Sequence, residues 1–415
     1  MNDNEDAKKE TGLIIIGNGL DINSRLPSKF IQYYKARCLN LGLEIDKQSY
    51  NLEYSDAIQV GIMQPGVRME HSIRDIVHFC DNGEITKSIT FWDLVLIYSD
   101  KITGNENWCN IEKMILDVLK SLSGFLNRTL EQAVQLSGYP PISISSTRYR
   151  VSLLSLIGNL GDNHKKYIWF LACIEKIRES DPDYKDITLE RFLLLELNKY
   201  EHDFMEYINK KASDNEDYLN RRNYSIKQMI VDNENLTSIN IMNFNFTCDI
   251  FEEITDDYVE LGTEVNVHGK VNSKVIFGID TKSLEVAKLN SGYDLTKTSR
   301  KLAMNKEKAT SVLDKTISTI MFYGHSLSEA DYAYFQSLFD YLDIYNNPIK
   351  LAFYYTNYLK GQQDLETVRR EQTKAVRKLI EEYGSTLDNE AKGKNLLHKL
   401  LLEERVGIYE LENAW

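Results

Sequence analysis

Residues 13–16, Leu-Ile-Ile-Ile, form a short unbroken apolar run that stops at Gly17. A run of that length bounded by glycine reads as a strand buried on both faces, as in a parallel sheet. A glycine-punctuated turn and a helical stretch around 28–42 follow. From about 70 to 235 the texture changes. Apolar residues recur at helical spacing over 108–136, 148–179 and 188–213. In the last of these Phe192, Leu195, Leu197, Tyr200, Phe204, Tyr207 and Ile208 gather near one face. Pro140 and Pro141 mark a loop between the first two. Short apolar runs with polar or glycine boundaries return late, at 239–244, 265–267, 275–279, 319–323 and 350–355, and read as strands. The tail from 361 onward is charged and helical. Its stripe of Leu365, Val368, Ala375, Val376 and Leu379 predicts a packing helix or a dimer contact, and a last short strand fits 406–409.

One strand–turn–helix unit therefore comes first, a helical block follows, and the remaining strands come last. The architecture predicted is α/β: a Rossmann-like, doubly wound, mostly parallel sheet with a large helical insertion between the first and later strands. The corresponding boundaries are 1–70 and 236–360 for the core, 71–235 for the insertion and 361–415 for a C-terminal helical tail.

Composition narrows the class. With 42% hydrophobic and 27% charged residues, the chain is globular and not disordered. A formal net charge of −13 argues against a nucleic-acid-coating protein. Within 266–316, however, Lys and Arg outnumber the acids, which makes either a solvated stretch or a local attractor for a dinucleotide or nucleic acid. No apolar run is long enough for a transmembrane helix, so no membrane partner is expected. The N-terminus is too polar for a secretory signal. The five cysteines (Cys38, Cys80, Cys109, Cys173, Cys248) are scattered, with no disulfide or zinc spacing, which fits a reducing cytoplasm.

Candidate chemistry sits at the strand ends. Gly17-Asn18-Gly19-Leu20-Asp21 follows the first strand directly. A G-x-G there permits a tight turn and lets backbone N–H groups approach a pyrophosphate, although the third glycine of the dinucleotide fingerprint is absent. A tight turn without a ligand is the plain alternative. Asn245 lies in Asn243-Phe244-Asn245-Phe246-Thr247, and His268 in Val267-His268-Gly269. Gly324-His325-Ser326 ends the strand at 319–323, and Asp331 lies seven residues after Gly324. In an open α/β sheet, ligands sit outside the carboxyl ends of the strands. Each residue also has a structural reading: Asn245 as a cap, His268 as a turn residue, Ser326 with Glu329 as a capping box. The joint order points to a ligand site.

These segments carry a resemblance. LIIIGNGLDINSRLPSKF (13–30), NWCNIEKMI (107–115), NFNFTCDIFEEI (243–254), VNVHGKV (265–271), VIFGID (275–280) and FYGHSLSEADYAYF (322–335) resemble the bacteriophage abortive infection protein AbiH family. That pattern in turn looks like a diverged sirtuin-type, NAD-binding Rossmann fold. Gly17, Gly19, Ser24 and Pro27 match the opening motif G-A-G-x-S-x-x-S-G-I-P, with Asp21 in place of its first serine and Arg25 in place of its later glycine. Asn245 falls on the asparagine of T-x-N-x-D and His268 on the His-Gly histidine. Thr247 stands where that aspartate would be, and the cysteine zinc module of sirtuin deacetylases is missing.

The resemblance implies an antiphage effector that hydrolyses NAD at the nicotinamide–ribose bond. On this reading Gly17, Asn18, Gly19 and Leu20 hold the pyrophosphate, and Asp21 binds a ribose hydroxyl or the carboxamide. Asn245 orients the ribose or the attacking water. His268, an imidazole able to take up a proton near neutral pH, is the base. Gly324, His325, Ser326 and Asp331 hold the adenosine side, and no metal is called for. Two alternatives stay open: a non-catalytic NAD or ADP-ribose sensor gated by a partner protein or by homo-oligomerisation, and a metal-dependent nuclease or nucleotide hydrolase using carboxylates such as Asp21 and Glu112. Trp108 and Ile111 share a helix face. Glu112, four residues after Trp108, either faces the pocket or is a solvated helix carboxylate.

Overall fold

The computed structural model describes residues 10–41, 88–97, 109–136, 163–178, 180–247, 250, 259–270, 273–304, 311–357 and 365–412. Trp108, the Pro140–Pro141 loop, Cys80, Cys248 and the start of the 148–179 stretch lie outside them. The chain divides into two compact units, one made of 1–28, 205–275 and 305–415 and the other of 29–204 and 276–304.

The first unit is built on six strands: β1 (Thr11–Ile16), β2 (Ser238–Asn243), β3 (Glu260–Asn266), β4 (Ile317–Tyr323), β5 (Lys350–Tyr355) and β6 (Val406–Glu410). They lie in the order β3-β2-β1-β4-β5-β6, and every pairing is parallel. This is a Rossmann-like arrangement, whose order reverses between β1 and β4. From Leu13 to Ile16 β1 is apolar because both of its faces are covered. Leu13 and Ile15 join Phe322, Phe353 and the helices Tyr332–Leu342, Leu365–Ser385 and Leu396–Leu402. Ile14 and Ile16 join Ile241, Met321, Leu20 and the helix Tyr218–Val231. The register Leu13↔Asn240 and Leu13↔Ile320 brings the carboxyl ends of β2, β1 and β4 level.

Three sequence expectations change. The apolar run 275–279 is not a sheet strand. Only Lys274–Val275 is extended, in a small hairpin with Gly269–Lys270. The rest of the run packs in the second unit, where the Phe277 amide donates to Glu201 and its ring meets Tyr200 and Phe204. Residues 205–235 group with the sheet, because the helix Tyr218–Val231 covers one face. The residues after 361 are also part of the sheet unit. Val376, Leu379, Ile380 and Tyr383 are buried against its core, and β6 completes the sheet beside β5.

In the second unit the described residues form helices, among them Phe30–Asn40, Phe91–Ile97, Cys109–Ser121, Asn163–Arg178 and, as far as Phe204, Leu189–Ser213. The last carries buried acids as well as the apolar face read from its spacing. Glu196 takes Arg178 (3.0 Å), the Tyr184 hydroxyl (2.7 Å) and the Phe91 amide (2.8 Å). Asp203 takes Arg37 at 2.9 Å, and Glu201 pairs with Arg300. Lys297 pairs with Glu112 at 2.5 Å. The basic stretch is thus not simply solvated: Lys297 and Arg300 are buried and paired, and Glu112 is an ion-pair partner.

Candidate functional site

The site begins where the strand order reverses. After β1 and β4 the chain makes two glycine turns, and each packs against the other's backbone. The Gly17 amide donates to Tyr323 O (3.0 Å) and the Gly19 amide to Gly324 O (2.7 Å), while the Leu20 amide closes back onto Gly17 O (3.0 Å). A Cβ on Gly17 would meet His325 Cα at 2.4 Å, and one on Gly19 would meet Gly324 Cα at 2.6 Å. Gly324 also has φ +68°, the left-handed conformation that glycine tolerates. The glycines are therefore required by contact between two turns. The N–H groups of Gly17, Gly19 and Leu20, expected to cradle a pyrophosphate, are already donated to carbonyls. Leu20 is buried in the core. The Asn18 side chain is tied to Ser28, accepting its hydroxyl at 2.6 Å and donating to its carbonyl at 3.2 Å. Arg25, at the motif's glycine position, has φ 63°.

The segment after β2 lies beside these turns. The Phe244 amide continues the ladder to Ile16 O (2.9 Å), and the Val267 amide continues it to Asn243 O (2.8 Å). Asn243 fixes the next residues: its Oδ1 accepts the Asn245 amide at 2.9 Å, and its Nδ2 donates to Glu264 at 3.1 Å. Asn245 itself is 2% exposed, yet neither its Oδ1 nor its Nδ2 has a hydrogen-bond partner. An unsatisfied buried polar group costs about 1–3 kcal/mol and is uncommon in a folded protein. A buried amide left open at both ends marks a place where a polar ligand or water belongs.

Phe244 and Phe246, which flank Asn245, both set their rings against His268, with centroids at 5.4 and 6.2 Å. Phe244 also meets His325 edge-on at 4.6 Å. His268 Nε2 lies 3.2 Å from Asp331 Oδ1, and His325 Nε2 lies 3.4 Å from Asp331 Oδ2. One carboxylate thus serves two imidazoles. His325 Nδ1 accepts the Leu327 amide at 2.9 Å. The neutral ring then carries its proton on Nε2, the nitrogen facing Asp331, and that nitrogen has no lone pair for a metal. Among the described residues no group of three or more His, Cys, Asp or Glu is placed to hold a metal ion.

Beside the glycine turn a second polar cluster is sealed from solvent. Asp21 accepts the Tyr218 hydroxyl at 2.6 Å and the Thr247 hydroxyl at 3.2 Å. Burial pushes its carboxyl up from 3.8 to about 6, against the pull of Tyr218, Arg222 and Thr247. Burial also raises the Tyr218 phenol well above its usual value, so Tyr218 stays a donor. Arg222 stands with its guanidinium 5.4 Å from the Tyr218 ring centre.

The structure therefore joins Gly17 and Gly19 to Gly324, Asp21 to Thr247, and His268 to His325 and Asp331. Asp331, expected on the adenosine side, stands with the histidines. Ser326 is exposed and caps no helix: the 3-10 turn Glu329–Asp331 starts after Ser328. Sequence reading missed Tyr218 and Arg222. Their signal is the i, i+4 spacing of an aromatic and a cation on the face that also carries Ser225 and Met229, all of them buried.

Fold and site together define a Rossmann-like α/β protein with a buried polar site at the carboxyl ends of its strands. The family model described as Bacteriophage abortive infection AbiH matches residues 13–355, and the chain belongs to that family. The match runs from β1 to the end of β5 and includes every residue named in the site. Membership places the chain among proteins of phage abortive infection. No curated protein and no solved structure matches it.

Proposed function

We propose that this abortive infection protein binds NAD at the carboxyl ends of β1, β2 and β4 and hydrolyses its nicotinamide–ribose bond. The observation that carries this reading is the open amide of Asn245, buried and without a partner, on the segment whose aromatic neighbours pack on His268. An amide with a free donor and a free acceptor suits a ribose diol or a water held against it.

In the reaction nicotinamide leaves as a neutral base, so it needs no proton. Water attacks the ribose carbon and must lose a proton. His268 takes that proton, and the Asp331 carboxylate at 3.2 Å stabilises the imidazolium formed. Asn245 holds the water or the ribose hydroxyls in line. Positioning and preorganised electrostatics are the main contributions. The pyrophosphate is held by groups other than the Gly17, Gly19 and Leu20 amides.

Calorimetric titration of NAD into the wild type and Asn245→Ala tests the binding step. The reading expects binding that weakens by about 10–100-fold in the variant, matching about 1–3 kcal/mol for a lost buried polar contact. Equal affinity in both proteins, or none in the wild type, contradicts it.

A further inference from the structure

Asn243, the last residue of β2, is fully buried, so both ends of its side-chain amide need partners. Its Oδ1 accepts the Asn245 amide at 2.9 Å, and its Nδ2 donates to Glu264 Oε1 at 3.1 Å. The other oxygen of the same carboxylate, Oε2, accepts the Ile250 amide at 2.7 Å. Ile250 is itself buried, in the core that Ile14 and Ile241 share. One acid on β3 therefore ties two points of the chain that follows β2, one on each side of Asn245 in sequence.

Strand pairing alone does not ask for that acid. Glu264 stands opposite Ile241 in the register of β2 and β3, and Asn243 is the next residue on the same face of β2. A valine there would pair with β2 as well, but it would offer no acceptor. An ionised carboxylate only accepts. By accepting from Asn243 it decides which way round that amide lies, with Nδ2 toward β3 and Oδ1 toward Asn245. The side chain of Asn245, buried with no partner at either end, is thereby presented at a set place. We propose that Glu264 and Asn243 are positioning residues for Asn245. The carboxylate orients the Asn243 amide, and that amide holds the Asn245 backbone so that the open side chain meets the ligand.

The donor and acceptor ends of this chain of bonds can be reversed. In Glu264→Gln the new amide meets two N–H donors with only one oxygen. Either the Ile250 amide loses its acceptor, or Asn243 turns over and the Asn245 amide loses its own. In Asn243→Asp two carboxylates face each other across the contact and repel. Both changes together restore every bond. The new glutamine donates to the new aspartate and still accepts from Ile250, and the aspartate still accepts from the Asn245 amide.

This role rests on the NAD reading for its ligand, but its geometry has a readout of its own. Wild type, Glu264→Gln, Asn243→Asp and the double variant are compared by NAD titration and by hydrogen exchange of the peptide containing Asn245. Both are measured where all four proteins are folded, so a contact that only stabilises the fold leaves affinity unchanged. Each single change should weaken NAD binding by about tenfold and speed exchange at the Asn245 peptide. The double variant should return exchange to the wild-type rate and affinity to within about threefold, because residues in contact are not additive. Single variants that bind and exchange like the wild type overturn the role, and so does a double variant no better than the worse single one. Recovery of exchange without recovery of affinity overturns the positioning of Asn245 for the ligand. If the wild type takes up no NAD, the NAD reading has failed. Exchange then decides alone: recovery in the double variant supports the hold of Glu264 on Asn245, and additive loss overturns it.

Discussion

The Gly19 amide donates to the Gly324 carbonyl at 2.7 Å, so the turn after β1 and the turn after β4 are held backbone to backbone. A methyl group has no room between them. Gly324→Ala would place a Cβ 2.4 Å from the Leu20 nitrogen and force an L residue to φ +68°. It should lower stability by at least about 2 kcal/mol. Gly124→Ala, with nothing within 4 Å of the added atom, should change little. Urea unfolding of both variants checks the contrast.

Asn245 predicts an opposite pairing of stability and function. Its amide has no partner to lose. Asn245→Ala should therefore leave folding stability within about 1 kcal/mol of wild type, or raise it, while ligand binding falls. A loss of several kcal/mol would show that the amide is satisfied within the fold.

Asp21 makes stability depend on pH with a definite sign. Its folded pKa is raised, to about 6 from 3.8. The stability it contributes is therefore fully present below the unfolded value and is lost as pH rises through the folded one. Between those limits the difference is on the order of 3 kcal/mol. Asp21→Asn should flatten the fall in stability between about pH 4 and pH 6. Unfolding midpoints of both proteins at pH 4.5 and pH 7 read this directly. An unchanged slope would place the titration elsewhere.

Arg300 tests the second unit. It is buried with Glu201, which also accepts the Phe277 amide. Arg300→Met leaves that acid buried with its cation removed and should destabilise by about 3–5 kcal/mol. Arg300→Met combined with Glu201→Gln should recover part of the loss. A silent Arg300→Met would restore the reading of this stretch as solvated.

Much of the sheet was legible because strands buried on both faces must be continuously apolar, as Leu13–Ile16, Ile320–Tyr323 and Leu351–Tyr355 are. The edge strand β3 was read too short. Glu260, Thr263 and Glu264 make it polar, which an edge position permits. The run 275–279 was misplaced because an apolar run does not say which core it enters. Glycine and histidine positions marked the strand ends correctly as places, but not the use of their groups. Whether a turn amide faces a ligand or a neighbouring carbonyl depends on the turn after β4, some 300 residues away in sequence. The buried acids Glu196 and Glu201 were not singled out because their charge argues for the surface, although Glu196 stands four residues from Phe192 and Tyr200, and Glu201 four from Leu197, on the buried face of the helix.

The most direct measurement is nicotinamide release from NAD by purified wild-type protein and His268→Ala, in the presence of a chelator. Release by the wild type is expected, unaffected by the chelator and slowed by at least about 100-fold in the variant, with both proteins equally folded. Release at equal rates by the two proteins would contradict the placement of the chemistry at His268. NAD binding without release would favour a sensor. Neither binding nor release would remove NAD as the ligand of this site.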